Sequence, residues 1–276
     1  SQSSCTGTQY LQAVGTGFAL QRDGNKGVCY VSSGEGTTSE GDFHEALNWA
    51  SREKSPVIFH IENNGYAISV PLSEQTSGES IYSMTSGYEN LDRISIDGTN
   101  YFESVLAFNK AIDRARKGKG PTVIESSVVR LLPHSSSDDH RKYRSEEEIE
   151  NDKLRDPIEQ FKILCIDKGI IKDREFDKLK KQIKDRVDQD AIWAESQDNP
   201  KPSSSLLNIY SDKKISYTQN TETSDKIVLV DAINHALQEE LSFNDKLILY
   251  GQDIAGGKGG VFTATRGLTD KFGKDR

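Results

Sequence analysis

Short apolar blocks alternate with stretches of helical periodicity over the first half of the chain. Residues 27–33 (GVCYVSS) form a β-branched run ending in Ser and Gly, which reads as a buried strand delivering the loop Gly34-Glu35-Gly36. Phe43, Leu47 and Ala50 then stand at helical spacing and predict a helix over about 40–53. PVIFHIENN (56–64) is a second apolar strand, opened by Pro56 and closed by the turn signal Asn63-Asn64-Gly65. Strand, loop, helix and strand make a βαβ unit. The pattern repeats with RISIDG (93–98) as a strand, a helix over about 101–117, and PTVIESSVVR (121–130) as another strand. Asn100, with Glu103 three places on, resembles an N-terminal capping box, and Gly118 with Gly120-Pro121 ends the helix.

Alternating strands and helices predict an α/β fold, a mostly parallel sheet with helices on both faces. In such sheets ligands bind outside the carboxyl ends of the strands. The loops at 34–37, 63–66 and 131–140 all leave strand ends, so one site can draw on all three. Beyond 145 the chain becomes a helical extension, about 145–152, 157–168 and 172–197, in which Ile163, Leu164, Leu179 and Ile183 predict packing on one face only. The charge runs at 141–153 and 171–188 read as solvated helix faces. Residues 198–225 are rich in Pro, Ser, Asn and Thr, a linker composition. A second α/β domain then starts, with a helix over 226–242 (Ile233, Leu237, Leu241), a strand KLILYGQD (246–253) and the glycine loop GGKGG (256–260). The expected organisation is a domain with helical extension over 1–197, a linker over 198–225 and the opening of another domain over 226–276. With no initial Met, and with Lys274-Asp275-Arg276 following an unfinished βα unit, a fragment of a longer protein is expected.

Composition narrows the function. In 276 residues, 34% hydrophobic content fills a real core, and no apolar run is long enough for a membrane span, so a soluble protein with no membrane partner is expected. A net charge of -8 argues against nucleic acid, whose phosphates need clustered Lys and Arg. Cys5, Cys29 and Cys165 are far apart and form no CxxC pair, which suggests neither a disulfide framework nor zinc, and Cys29 reads as a small core residue. His44 and His60 read as packing or hydrogen-bonding residues, whereas His140 and His235 carry no specific signal.

A diphosphate held through a divalent cation needs hard oxygen ligands from neighbouring strand ends and free backbone N–H groups. Glu35 stands between two glycines after the first strand, and the second strand offers Asn64 and the carbonyl of Tyr66. A carboxylate, an amide oxygen and a backbone oxygen leave room around Mg²⁺ for two diphosphate oxygens and a water.

The stretch GEGTTSEGDFHEALNWASREKSPVIFHIENNGYAIS resembles the thiamine-diphosphate (ThDP) binding motif, with Glu35 and Asn64 separated by 29 positions. NNGYAISVPLSEQTSG and RLLPHSSSDDHRKYRSEEEIE are similar to the branched-chain group of 2-oxo acid dehydrogenase E1 components, whose motif commonly opens with GEG. The resemblance implies a ThDP-binding fold. It also implies oxidative decarboxylation of a 2-oxo acid and transfer of the acyl group to lipoyl groups of an E2 acyltransferase, with the cofactor as electron sink while CO₂ leaves. It gives Glu35, Asn64 and the Tyr66 carbonyl to Mg²⁺, and the N–H groups of Gly36 and Thr37 to the diphosphate. The resemblance also implies that His134 touches the diphosphate and shapes the active site, that Arg130 opens its loop, and that Ser135 stands where mitochondrial relatives are phosphorylated. Pro133 replaces a histidine that relatives often carry.

The opening SSCTGTQYLQAVG resembles a segment that binds structural K⁺, which assigns Ser3, Thr8 and Gln9 as ligands with the Cys5 carbonyl, and brings Ser4 and Thr6 near the cofactor. Residues 226–276 resemble the opening of the β-type E1 subunit, with Gln252 where relatives often have Glu. The glutamate that activates the cofactor's aminopyrimidine is then expected further along. A fused chain of this kind implies a bacterial-type cytoplasmic homodimer, a mitochondrial matrix enzyme being the alternative. Pyruvate in place of a branched-chain acid, a transketolase-like enzyme, and a ThDP-binding module without chemistry remain open. A Mg²⁺–nucleotide protein fits less well, since the chain has no GxxxxGK[ST] loop.

Overall fold

The structure is a computed structural model that describes residues 5–211 and 226–276. Ser3 and Ser4, and the second half of the expected linker, residues 212–225, lie outside the described residues. Two compact units divide the chain, one ending at Gln197 and the other starting at Asp198.

The first unit opens with a helix that the sequence analysis does not anticipate, α1 (Gln9–Arg22). Its buried residues are Tyr10, Ala13, Val14 and Gly17, one face at helical spacing but built mostly from small side chains. Gly17 is where α1 meets the sheet, since a Cβ there would lie 2.7 Å from Val57 Cγ2. Strand β1 (Cys29–Gly34) runs into a single tight turn over Glu35–Ser39 and then into α2 (Gly41–Glu53), which ends on Lys54 in the left-handed region. Then come β2 (Val57–Asn63) and a two-stranded ribbon of β3 (Tyr66–Ala67) and β4 (Val70–Pro71). The short helices α3 (Leu72–Gln75) and α4 (Ile81–Met84) lead to β5 (Asp92–Asp97), α5 (Tyr101–Arg116) and β6 (Thr122–Ser127).

The main sheet has the order β1-β2-β6-β5 and is parallel throughout, as the alternation of strands and helices predicts. Strand side chains alternate between faces. Val57, Phe59 and Ile61 join Tyr10, Val14, Phe43 and Leu47 in one apolar cluster under α1 and α2. Ile58 and Ile124 join Ala107 and Ala111 of α5 in a second cluster on the opposite face. Asn100 caps α5, accepting from the N–H groups of Phe102 (3.0 Å) and Glu103 (3.3 Å). Glu103 departs from a standard capping box, because its carboxylate takes the Asp97 N–H and the Asn100 side-chain amide.

Beyond β6 stand α6 (Glu146–Leu154), α7 (Pro157–Asp167) and α8 (Asp173–Glu195). Leu164 is half-buried beside the buried Cys165, but Ile163, Leu179 and Ile183 are exposed, so the expected one-sided packing is only partly met among the described residues. In the second unit, α9 (Leu229–Phe243) and α10 (Leu268–Phe272) bury Leu241 and Leu268. The strand expected over 246–253 does not form among the described residues. A strand needs a ladder, and the backbone bonds of this segment go to separate places instead: Leu247 N–H to the Asn244 carbonyl (3.0 Å), Leu249 N–H to the Arg276 carbonyl (2.8 Å) and Gly260 N–H to the Asp253 carbonyl (2.8 Å). No described helix is long and apolar enough to cross a membrane.

Candidate metal and cofactor site

Parallel register sets the carboxyl ends side by side: Gly34 lies opposite Glu62, Glu62 opposite Ser126, and Asn63 opposite Ser127. Glu35 follows β1 directly and is fully buried. Its Oε2 accepts from the backbone N–H of Asn64 (3.1 Å) and from Asn64 Nδ2 (3.4 Å), which joins the first and second predicted ligands. Burial pushes the Glu35 carboxyl above the ordinary glutamate value, an effect partly opposed by backbone N–H groups, including those of Asn64 and Tyr66, and by the charge of Arg130.

Two oxygens in this pair stand out. Glu35 Oε1 and Asn64 Oδ1 are buried and accept no hydrogen bond from the protein. Orphaned buried acceptors are uncommon in a folded protein, and a carboxylate oxygen beside an amide oxygen is a donor set suited to a hard divalent cation. The third expected ligand follows from ladder geometry. Gly65 and Leu72 are bonded across the ribbon (2.9 Å), so Tyr66, opposite Pro71, falls on a non-hydrogen-bonded pair and turns its N–H and C=O away from β4. The residues present therefore fit Mg²⁺ in donor chemistry.

Gly36 and Thr37 lie in the first turn after β1, where leading N–H groups have no intrahelical acceptor. Gly36 is required by close approach, because a Cβ there would sit 2.7 Å from Ala67 Cβ. Gln75, which the sequence analysis overlooks, clamps this turn from α3 by donating to the Gly36 carbonyl and to Ser39 Oγ, each at 2.9 Å. Asn63, the first residue of the pair, is held by Glu125 (2.7 Å) and itself accepts from Gly65 N–H (2.9 Å), which fixes the turn at Asn64.

Arg130 leaves the end of β6 and donates to the Ile68 carbonyl and to Tyr143 Oη, both at 2.8 Å. His134 is exposed, with its backbone N–H on Asp138 Oδ2 (2.9 Å), and among the described residues no hydrogen bond or ion pair joins its imidazole to Glu35, Asn64 or Tyr66. Ser135 is exposed on the same turn and pairs with Ser137 (3.1 Å). At the start of the chain, Thr8 Oγ1 donates to the Cys5 carbonyl (2.9 Å), so two of the expected K⁺ ligands are neighbours, while Gln9 begins α1 and Thr6 is exposed.

The charge run at 141–153 is not wholly a solvated face. Arg144 is buried and pairs with Glu148 (3.1 Å) and Asp152 (2.5 Å), and Glu148 also receives the Tyr66 hydroxyl (3.2 Å). The spacing of Arg144, Glu148 and Asp152, four and four along the chain, was the available signal, with Arg144 just before α6 and both carboxylates on it. His60 behaves as expected of a hydrogen-bonded core residue, held between Tyr30 (2.9 Å) and Ser126 (2.8 Å), and burial lowers its pKa. Cys29 is half-buried against the core instead of enclosed by it.

Comparison with known proteins bears on this geometry. The 2-oxoisovalerate dehydrogenase subunit alpha of Bacillus subtilis is 37% identical over 208 residues, 75% of this chain and 63% of that protein. The 3-methyl-2-oxobutanoate dehydrogenase subunit alpha of Mycobacterium tuberculosis is 42% identical over 164 residues, 59% of this chain and 44% of that protein. The pyruvate dehydrogenase E1 component subunit alpha of Staphylococcus aureus is 38% identical over 165 residues, with 59% and 44% covered. The chain thus spans between 44% and 63% of the length of these relatives. Residues 1–203 match the family described as the dehydrogenase E1 component, and the chain belongs to that family.

Proposed function

We propose that this chain forms the metal and diphosphate half of a ThDP-dependent E1 site, in an enzyme that decarboxylates a branched-chain 2-oxo acid and passes the acyl group to E2 lipoyl groups. The observation that carries the reading is the pair of unpartnered buried oxygens, Glu35 Oε1 and Asn64 Oδ1, on residues already joined by hydrogen bonds beside Tyr66. Bound ThDP supplies the electron sink for loss of CO₂. The protein's part is position and charge: Glu35, Asn64 and the Tyr66 carbonyl hold Mg²⁺, and Gly36 and Thr37 offer N–H groups to the diphosphate. Arg130 adds a positive charge, and His134 meets the diphosphate when its exposed turn folds inward. Cys5, Thr8 and Gln9, with Ser3, are the K⁺ set, and Ser4 and Thr6 lie toward the cofactor. Residues 226–276 open the complementary β-type half, in a cytoplasmic homodimer.

Names of the Bacillus and Mycobacterium relatives favour a branched-chain substrate, and that of the Staphylococcus relative supports pyruvate as the second reading. Decarboxylation by the complete protein carrying this chain, measured with 3-methyl-2-oxobutanoate, pyruvate and 2-oxoglutarate, separates them. The expected order puts 3-methyl-2-oxobutanoate first in kcat/KM, with dependence on both ThDP and Mg²⁺. Pyruvate in first place would transfer the assignment to the second reading, and indifference to ThDP would overturn both.

A further inference from the structure

Two of the proposed metal ligands are side chains rooted at the ends of main-sheet strands, but the third is a backbone carbonyl on the small ribbon of β3 and β4, outside that sheet. A ribbon of this size is not stable by itself. Its turn is also strained, since Ile68, a β-branched residue, has φ +57. Something must hold it. The Tyr66 ring lies 5.5 Å from the Arg144 guanidinium and 5.6 Å from that of Arg130, and its hydroxyl donates to Glu148. Arg144 Nη1 donates to the Arg130 carbonyl (3.0 Å), and Arg130 in turn donates to the carbonyl of the strained Ile68. The Arg144 side chain is 2% exposed, and both carboxylates that neutralise it, Glu148 and Asp152, come from α6.

We propose that Arg144, braced by Glu148 and Asp152, is a positioning residue for the metal: it fixes the Tyr66 ring and the Ile68 turn, and so the place of the Tyr66 carbonyl. This rests on the metal site proposed above, which Arg144 reaches only through Tyr66. Mg²⁺ demands near-ideal octahedral geometry, whereas Ca²⁺ tolerates displaced ligands. Loss of the brace therefore weakens Mg²⁺ selectively, while a general loss of folding weakens both ions together.

The test is ThDP binding to the complete protein, followed by tryptophan fluorescence during titration with Mg²⁺ or with Ca²⁺. For Arg144→Met the half-saturating Mg²⁺ concentration rises by about 10- to 100-fold, the usual effect of removing an outer partner of a ligand, and the Ca²⁺ value moves far less. Glu148→Gln, which keeps the size of the side chain and removes its charge, shifts Mg²⁺ in the same sense, and it decides the matter if Arg144→Met does not fold. An unchanged Mg²⁺ requirement in the folded variants, or equal shifts for the two ions, overturns the inference. Should Glu35→Gln leave the Mg²⁺ requirement untouched, the metal site itself fails, whatever the behaviour of Arg144.

Discussion

At the scale of single residues, the Glu35 carboxylate is caught between two demands. Metal binding needs it ionised, and burial favours its protonated form. A carboxyl whose pKa is raised on folding takes up a proton more readily in the folded state, so its contribution to the stability of the metal-free protein is greatest below the unfolded pKa. That contribution falls as pH rises through the folded value. Glutamine cannot ionise and escapes this loss. Metal-free Glu35→Gln is therefore expected to melt above the wild type at neutral pH, with the gap closing in acid, while Mg²⁺-dependent ThDP binding is lost. Thermal unfolding of both proteins from about pH 4 to about pH 8, an interval spanning ordinary and raised carboxyl values, checks this. A wild type that is the more stable at neutral pH without metal would contradict the assigned cause.

What was legible at this scale was whatever the sequence keeps close to a strand end. Glu35 and Asn64 could be read because glycine and turn residues mark where each strand stops, and parallel pairing then brings those stops together. Arg144 was read as solvated, because its spacing to Glu148 and Asp152 fits a surface ion-pair row equally well until the fold supplies Tyr66 on its other side.

Elements obey a related logic, and one of the tight junctions between them is Gly36 against β3. Gly36→Ala would set a Cβ 2.7 Å from Ala67 Cβ and 3.3 Å from Ala67 Cα. Since neither neighbour is the free end of a flexible side chain, the ribbon has to shift, at a cost of about 1–3 kcal/mol, and Mg²⁺ affinity falls with it. Gly41→Ala, in the first turn of α2 with nothing within 4 Å, is the control and is expected to be neutral or slightly stabilising. Urea midpoints and Mg²⁺ titrations of the two variants test the contrast, and equal behaviour would show that the approach of Gly36 to Ala67 carries no weight. Of the elements that periodicity predicted well, α2, β2, α5 and β6 each bury several apolar residues within one sequence window, whereas β1 buries Val31 alone and β5 packs Ile94 and Ile96 half-buried against the second cluster. Helix α1 escaped notice because its buried face uses Ala13 and Gly17 as well as Tyr10 and Val14, and so lacks bulk. The segment 246–253 failed in the opposite sense: its composition suits a strand, but a strand also needs neighbours.

For the molecule as a whole, the two units differ sharply in how much they bury. Both apolar clusters, the one around Tyr10, Phe43 and Phe59 and the one around Ile58, Ala111 and Ile124, belong to the first unit. The second unit encloses only two large apolar side chains among its described residues, Leu241 and Leu268. Folding energy follows the apolar area removed from water, so the first unit is expected to have its own cooperative transition. A chain ended after Gln197 is expected to keep it, with stability changed by less than about 1 kcal/mol and the melting temperature by less than about 4 °C for a domain of this size. Thermal unfolding followed by near-ultraviolet circular dichroism, which reports the packing of Tyr10, Phe43 and Phe59, compares the shortened and complete chains directly. Loss of that transition on shortening would mean that residues beyond 197 complete the core of the first unit, and the Glu35–Asn64 site would then depend on the second unit for its rigidity.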